Sequence, residues 1–519
     1  MSSIINQVSE TKDPREQLAI IEAEVARVSA TLVGLMNESI SLKRTVNDQY
    51  SPFLLHLPVE IISEIFSFCL PSFDPKNDMP STGDPPFTPF VFGAVCASWR
   101  RIAWSTPMLW SKLTFRLISP LNIHTQVNLL EEWLARSGEL PLSIRLMAAD
   151  DFSWTGVSSE GVIQAIRKYA HRWHDLIIHL PSSCYRYLPS TEEARGFPVL
   201  NSFILKPPGG QGDRVHRITI PLSPNLRYLS LSCLYLRSIV FHFEVLTHVE
   251  LESFYIDEIL EMLRQTTALH TLTAKRILSG DDRHDPPEEP IILSNLEEVC
   301  IVNDKGTDIQ LLFDKISTPK LNTLSYTAEG LQPVPAHDIV SLIKRSGCQL
   351  ETLDILHAPI REEPLQILLA ALSSLKSLKM AMPTLTSIRH APLTDAVLQT
   401  LNPDYAQANK ISCSLPELQS LSYAGAQGFT WEALLTVLES RCPLPPPKDP
   451  SQLAPVISSH KPMSSIKDVM LVLNFASPDE HSSTPSPCPI MLESLAHRGV
   501  SISIRSDVRP GLHALVEEA

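Results

Sequence analysis

The sequence predicts an α/β fold: a repeating solenoid of strands and helices, preceded by a small all-helical region and one long N-terminal helix. Three observations carry this expectation. A short apolar element, L-x-x-L-x-L, recurs from about residue 120 onward. Two blocks of helically spaced apolar residues flank a proline-rich loop ahead of it. A run of heptads precedes both.

The heptads span residues 15–48. Leu18, Ile21, Val25, Val28, Leu32, Leu35, Ser39, Leu42 and Val46 follow an alternating three-and-four spacing, and only Ser39 among them is polar. A helix with this spacing shows one narrow apolar seam, as two-stranded coiled coils require. Gly34 and Ser39 weaken it. Two readings stand side by side: self-association through residues 15–48, or a single amphipathic helix laid back on the same protein. Pro52 ends the run.

The first apolar block is LPVEIISEIFSFCLP, residues 57–71. Pro58 suits a helix start, where its missing N–H costs nothing. Glu60 suits the positive end of the helix dipole. Ile61, Ile62, Ile65, Phe66, Cys69 and Leu70 recur at helical spacing, and Pro71 stops the helix. Residues 71–89 are rich in Pro, Asp and Ser and read as an irregular loop. From Phe90 the helical pattern resumes, with Val91, Phe92, Val95, Trp99 and Ile102 on one face.

Beyond residue 120 the recurring element appears as LNSFIL, LRYLSL, LTHVEL, LHTLTA, LEEVCI, LNTLSY, LETLDI, LKSLKM and LQSLSY. Its second apolar position, with Leu176 from WHDLII, falls at 176, 203, 229, 249, 272, 299, 324, 353 and 378. The successive intervals lie between 20 and 29 residues, the range of leucine-rich repeats. Helical stretches at 307–316, 338–347 and 364–372 sit between strands. A strand followed by a helix, repeated, is the unit of a horseshoe in which each repeat buries its apolar side against its neighbours. The register loosens after Leu378: Leu421 follows 43 residues later, and Val469 another 48. A helical stretch at 431–442 and proline-rich segments at 443–450 and 477–489 fill these gaps, and 281–290 is a similar insertion. The expected organisation is a tail at 1–14, a coiled-coil-like helix at 15–50, a helical domain at 52–115, the repeats at 120–507, and a tail at 508–519.

Composition narrows the function. The formal net charge of −14 leaves no basic excess for phosphates, which argues against nucleic acid and anionic membranes as partners. The N-terminus lacks the basic flank and apolar run of a signal peptide, and no stretch approaches the length needed to span a bilayer. The chain therefore reads as cytoplasmic or nuclear. Nine scattered cysteines form no C-x-x-C pair and suggest reduced thiols rather than a disulfide framework or zinc site. The glycines of PPGGQGDR (207–214) lack the lysine of a phosphate-binding loop. His171 and His174 lack partners at ligand spacing. No catalytic residues, metal or cofactor are expected, and the chain reads as a binding protein rather than an enzyme.

Residues 57–113 resemble the F-box. Leu57, Pro58 and Glu60 match its opening, Ile61, Ile62 and Ile65 its isoleucine-rich first helix, Val95, Cys96 and Trp99 its Val-Cys-x-x-Trp segment, and Leu109 and Trp110 its closing Leu-Trp. The loop at 71–89 is longer than the family's usual turn. The wider arrangement resembles the F-box-like proteins with divergent leucine-rich repeats that abound in mushroom-forming fungi. The resemblance implies a substrate receptor that docks a Skp-type adaptor and, through it, a cullin-based ubiquitin ligase. An interaction scaffold outside any ligase is the alternative.

Two sets of contact residues follow. An F-box is too short to bury a full core alone, so its apolar helices face a partner or the rest of the chain. Leu57, Pro58, Glu60, Ile61, Ile65, Val95, Cys96, Trp99 and Trp110 are the adaptor-binding candidates, and the tryptophans are of the type that anchors interfaces. On the repeats, residues between the leucines point outward. Tyr228, Ser230 and Ser232 line one rung, and His248, Glu250 and Glu252 the next. Glu298 and Asp354 add charge further along, against Lys379. These predict a mildly acidic target-binding face.

Overall fold

The computed structural model describes residues 13–50, 56–76, 88–148, 156–188, 196–207, 218–220, 223–280, 284–303, 307–328, 332–383, 391–442, 464–474, 495–496 and 498–507. The segments 443–450 and 477–489, the C-terminal tail from 508, and the glycines of 207–214 fall outside this set. The chain divides into two compact units: Met1–Phe115 with His124–Ile144, and Arg116–Ile123 with Arg145–Ala519.

The smaller unit is helical, with α1 (Pro14–Tyr50), α2 (Val59–Cys69), α3 (Phe90–Val95), α4 (Ala97–Trp104) and α5 (Ile123–Arg136). Strands β1 (Lys112–Leu117) and β2 (Leu142–Ala148) begin in it, where the Ser143 N–H donates to the Ser111 carbonyl at 2.9 Å. The helical unit is thus longer than the sequence suggests, because α5 and its Trp133 belong to the same aromatic core as Trp110.

Helix α6 (Gly156–Arg167) precedes the main strands of the larger unit. These are β3 (Trp173–His179), β4 (Ser202–Leu205), β5 (Tyr228–Ser232), β6 (His248–Glu252), β7 (Thr271–Lys275), β8 (Glu298–Val302) and β9 (Thr323–Thr327). They continue with β10 (Thr352–Leu356), β11 (Ser377–Ala381), β12 (Ser420–Ala426), β13 (Asp468–Asn474) and β14 (Ser501–Asp507). Each strand from β3 onward lies beside the next one in the chain, and every pairing is parallel. Helices α7 (Ile256–Gln265), α8 (Gln310–Asp314), α9 (Ala336–Ser346), α10 (Glu362–Ala371), α11 (Asp395–Thr400), α12 (Pro403–Asn409) and α13 (Trp431–Arg441) cross between strands.

The repeated leucine position forms one continuous column. Leu176, Phe203, Leu229, Val249, Leu272, Val299, Leu324, Leu353 and Leu378 pair in register from strand to strand. The column runs on through Leu421, Val469 and Ile502, so the long intervals after Leu378 do not shift the register. The residue two places on makes a second column, including Leu251, Ala274, Ile301, Tyr326 and Ile355, all at most 1% exposed. A strand's two-residue side-chain period sends both columns to one face. Each fully buried leucine there contributes roughly 1.5–3 kcal/mol through lost contact with water.

The turn after the strand repeats as well. Cys233, Ser253, Arg276 and His357 each stand one residue past a strand end with positive φ, between 51° and 62°. Their N–H groups donate to the last residue of the following strand or its register equivalent: Cys233 to Glu252, Ser253 to Lys275, Arg276 to Val302 and His357 to Ala381, at 2.6–2.9 Å. The hydrogen bond holds a left-handed conformation that costs a non-glycine residue about 1–2 kcal/mol. One expected helix is shorter than its pattern: α8 covers only part of 307–316, because Ile316 and Ser317 leave it to pair as strand with Ile291 and Ile292.

Candidate protein-interaction surfaces

The helical unit splits the apolar residues of α2 between two faces. Ile62, Ser63 and Phe66 turn inward, at spacings that share one side of a helix. Phe66 stacks on Phe92 of α3, with ring centroids 4.2 Å apart, and Trp99 of α4 tilts against it at 4.9 Å. The Ser63 hydroxyl meets the Thr106 hydroxyl at 2.9 Å. On the other side, Ile61 is 42% and Phe68 80% exposed. Ile65 shares that side and is half-buried, as is Leu57 just ahead of the helix. Pro58 and Glu60 are exposed, and Pro58 stands at the cap position just before the first helical residue.

Cys96 breaks what the sequence suggests is one helix. Its backbone is extended, with φ −157° and ψ 170°, so α3 ends at Val95 and α4 begins at Ala97. The Cys96 sulfur accepts the Trp99 N–H at 3.4 Å, in the place where a serine or aspartate cap is usual. The break leaves Val91 and Val95 exposed on α3 while Phe92 and Gly93 pack inward. Gly93 lies flat against the Trp104 ring, where any side-chain carbon would overlap it. Arg100 donates to the Gly93 carbonyl at 2.8 Å and fixes α3 to α4.

Trp110 is not an interface anchor. It is fully buried and donates its indole N–H to the Ala103 carbonyl at 2.7 Å. Phe90, Trp104 and Trp133 meet it edge to face with centroids 5.2–5.3 Å away, and the Arg136 guanidinium lies 5.0 Å from its ring. Such T-shaped contacts, with a cation over the ring, add to area burial in holding a core. Of the adaptor-binding candidates, therefore, Pro58, Glu60, Ile61 and Val95 are open, and Leu57, Ile65, Cys96 and Trp99 are half-buried. Trp110 is core. Phe68, Val91 and Met108 join the exposed apolar set. Phe68 falls three and seven residues after Ile65 and Ile61, a spacing that marks it in the sequence.

On the sheet, the residues between the two buried columns form the opposite face. Glu250 sits at its most charged point. It accepts from Lys275 at 2.8 Å, from Lys206 at 3.3 Å and from the Tyr228 hydroxyl at 2.9 Å. Burial alone would raise its pKa, but the Lys275 hydrogen bond, the Lys206 and Lys275 charges and the Tyr228 hydroxyl bring it down to about 2. Glu252 accepts from Ser232 at 3.0 Å and Arg276 at 3.5 Å. The expected acidic face is thus locally neutralised: Lys379 is joined by Lys206, Lys275 and Arg276, which the strand spacing alone did not bring together. His248 is half-buried beside Tyr228, with ring centroids 6.5 Å apart, and Glu298 is exposed. Asp354 is half-buried; burial raises its carboxyl against the pull of Lys379.

Ser230 and Ser232 do not line an open surface. Ser230 is fully buried, and its hydroxyl has no hydrogen-bond partner among the described residues. Ile177 and Ile204, which precede it in the same register column, are buried too. At the other end, Ala381, Ala424 and Val472 form an apolar cluster with Leu356 on this face. The open, charged part is confined to the strands between. His174 pairs with Asp175 at 2.9 Å, and no group of metal-ligating side chains occurs among the described residues.

No protein-family model matches the chain, and no curated protein matches it. Among solved structures, the crystal structure of the Rad7 and Elc1 complex in yeast aligns over 79% of this chain and 94% of that one. The identity is 13% and the TM-score 0.34, an overlap too loose to establish a common fold.

Proposed function

We propose that the chain is a substrate-recognition adaptor of a Skp–cullin–F-box ubiquitin ligase. In this reading the helical unit is a divergent F-box that docks a Skp-type adaptor and, through it, a cullin. The parallel strands and their crossing helices are a divergent leucine-rich-repeat horseshoe, and its charged strand face holds a target protein. The chain acts in the cytoplasm or nucleus and binds without catalysing.

The observation that carries the reading is the second face of α2. Ile61 and Phe68 remain open to water while Ile62 and Phe66 already satisfy the core. The motif residues Leu57, Pro58 and Glu60 lead into that same face. Scattered single apolar residues on a surface would need no explanation, but Ile61, Ile65 and Phe68 fall together on one helix face, and a contiguous apolar patch marks an interaction site. The paired charges around Glu250 support a target that offers both signs of charge, since each ion pair can exchange a partner on binding.

The test uses the full chain and a purified Skp-type adaptor. Wild type is expected to bring the adaptor down stoichiometrically at micromolar concentration. The double variant Leu57→Ala, Pro58→Ala removes an anchor and a helix-start constraint and is expected to bind about tenfold more weakly, equivalent to about 1.4 kcal/mol. A wild-type chain that captures no adaptor leaves the scaffold reading in place of the ligase.

A further inference from the structure

Helix α1 exposes its seam. Leu18, Ile21, Val25, Val28, Leu32, Leu35, Leu42 and Val46 are each 43–60% exposed along a helix of 37 residues. The helix was open to two readings in the sequence, and the structure does not lay this seam back on the chain. We propose that a second copy of this chain covers it, as a parallel, in-register two-stranded coiled coil. The proposal stands apart from adaptor binding.

Spacing and charge choose both the occupant and its direction. The three-and-four spacing assigns Leu18, Val25, Leu32, Ser39 and Val46 to the a positions and Ile21, Val28, Leu35 and Leu42 to d. An identical helix has the same seam, so every layer can be filled at once. Ser39 sets the orientation. In a parallel pair a faces a, so Ser39 meets Ser39 of the second copy and the two hydroxyls can bond. In an antiparallel pair a faces d, and all four d residues are aliphatic. That arrangement offers the hydroxyl no partner across the seam and leaves it only a bond to its own helix, of the kind Thr31 and Thr45 make to the Arg27 and Ser41 carbonyls. A single polar a position is a known means of fixing register.

The flanks agree. Glu38 occupies a g position and Lys43 the following e position, so the parallel pair brings Glu38 of each copy beside Lys43 of the other. Neither residue has an ion pair within the chain among the described residues, whereas Glu24 is already held by Arg27 at 2.6 Å. The remaining g and e residues, Gln17, Glu22, Glu24, Ser29, Thr31, Met36, Thr45 and Tyr50, place no two like charges together in this register.

Sedimentation velocity of the full chain at about 20 µM tests this, with circular dichroism as the check on folding. Wild type is expected to be a dimer, and Val25→Asp with Leu32→Asp a monomer whose strand signal is retained. Two milder variants test the direction. Glu38→Lys and Lys43→Glu should each weaken dimerisation about three- to tenfold, by turning two attractions into repulsions. Mixing the two single variants, or combining both changes in one chain, should restore it, because opposite charges then face each other again at both flanking contacts. A monomeric wild type, a dimer that survives Val25→Asp with Leu32→Asp, or a mixture that fails to recover would each overturn the proposal.

Discussion

In the repeat unit the leucines of the recurring element turn inward and stack in register, while the charged residues between them stay on the other face. In the helical unit the same kinds of apolar residue are divided. Ile62 and Phe66 build the core, and Ile61, Phe68, Val91 and Val95 remain in water. A strand's period of two leaves no choice about which leucine is inside. A helix with apolar residues on two opposite sides can satisfy a core with one and still present the other. The difference separates apolar residues that hold the fold from apolar residues available for binding.

The sharpest way to break this comparison is to empty the column. Leu353 is fully buried between Leu324 and Leu378. Leu353→Ala is expected to cost about 3 kcal/mol, from lost transfer energy plus the cavity left behind. Denaturant unfolding checks it, and adaptor affinity should not change. A loss below about 1 kcal/mol would mean that the column is loosely packed.

That column was the most legible part of the molecule. Its spacing appears in the sequence because strands of one sheet repeat the same inward position. Past Leu378 the intervals lengthen, since α11 and α12 extend the path from β11 to β12, yet Leu421 and Val469 keep their places in the column. The pairing of Leu378 with Leu421 shows that register is set by the sheet and not by the length of the crossing. In the helical unit the apolar spacing between Pro58 and Pro71 placed α2 correctly, but two features escaped. Cys96 lacks the usual signature of a helix cap, so the break was invisible. Trp110 has the chemistry of both a core residue and an interface anchor, and only its neighbours decide which. Glu250 was legible as a surface acid. Its lysines were not, because Lys206 and Lys275 reach it diagonally rather than from the paired positions.

A smaller effect separates the charged face from the buried columns. Glu250 has its folded-state pKa held near 2, below its ordinary 4.5. Its stabilisation is therefore complete above about pH 5 and is lost as the pH falls through 4.5 toward 2. Glu250→Gln is expected to cost about 1–2 kcal/mol at pH 7, a figure discounted for the solvent that reaches Lys275, and almost nothing at pH 2. Thermal unfolding of both proteins across this range gives the comparison. Parallel curves would show that the three partners of Glu250 contribute little.

The most direct measurement sets two adjacent residues against each other. Ile61 is 42% exposed and Ile62 is 1% exposed, one residue apart on α2. Ile61→Ala and Ile62→Ala remove the same atoms from the two faces. Calorimetric titration with a Skp-type adaptor and thermal unfolding are run on both variants. The account predicts that Ile61→Ala leaves the melting temperature within about 1 °C of wild type and weakens adaptor binding about tenfold. Ile62→Ala should instead cost about 2–4 kcal/mol of stability and bind almost as wild type at temperatures where it stays folded. An Ile61→Ala protein that binds the adaptor with wild-type affinity, or a wild-type protein that gives no heat of binding, would contradict the claim that this face is the docking site.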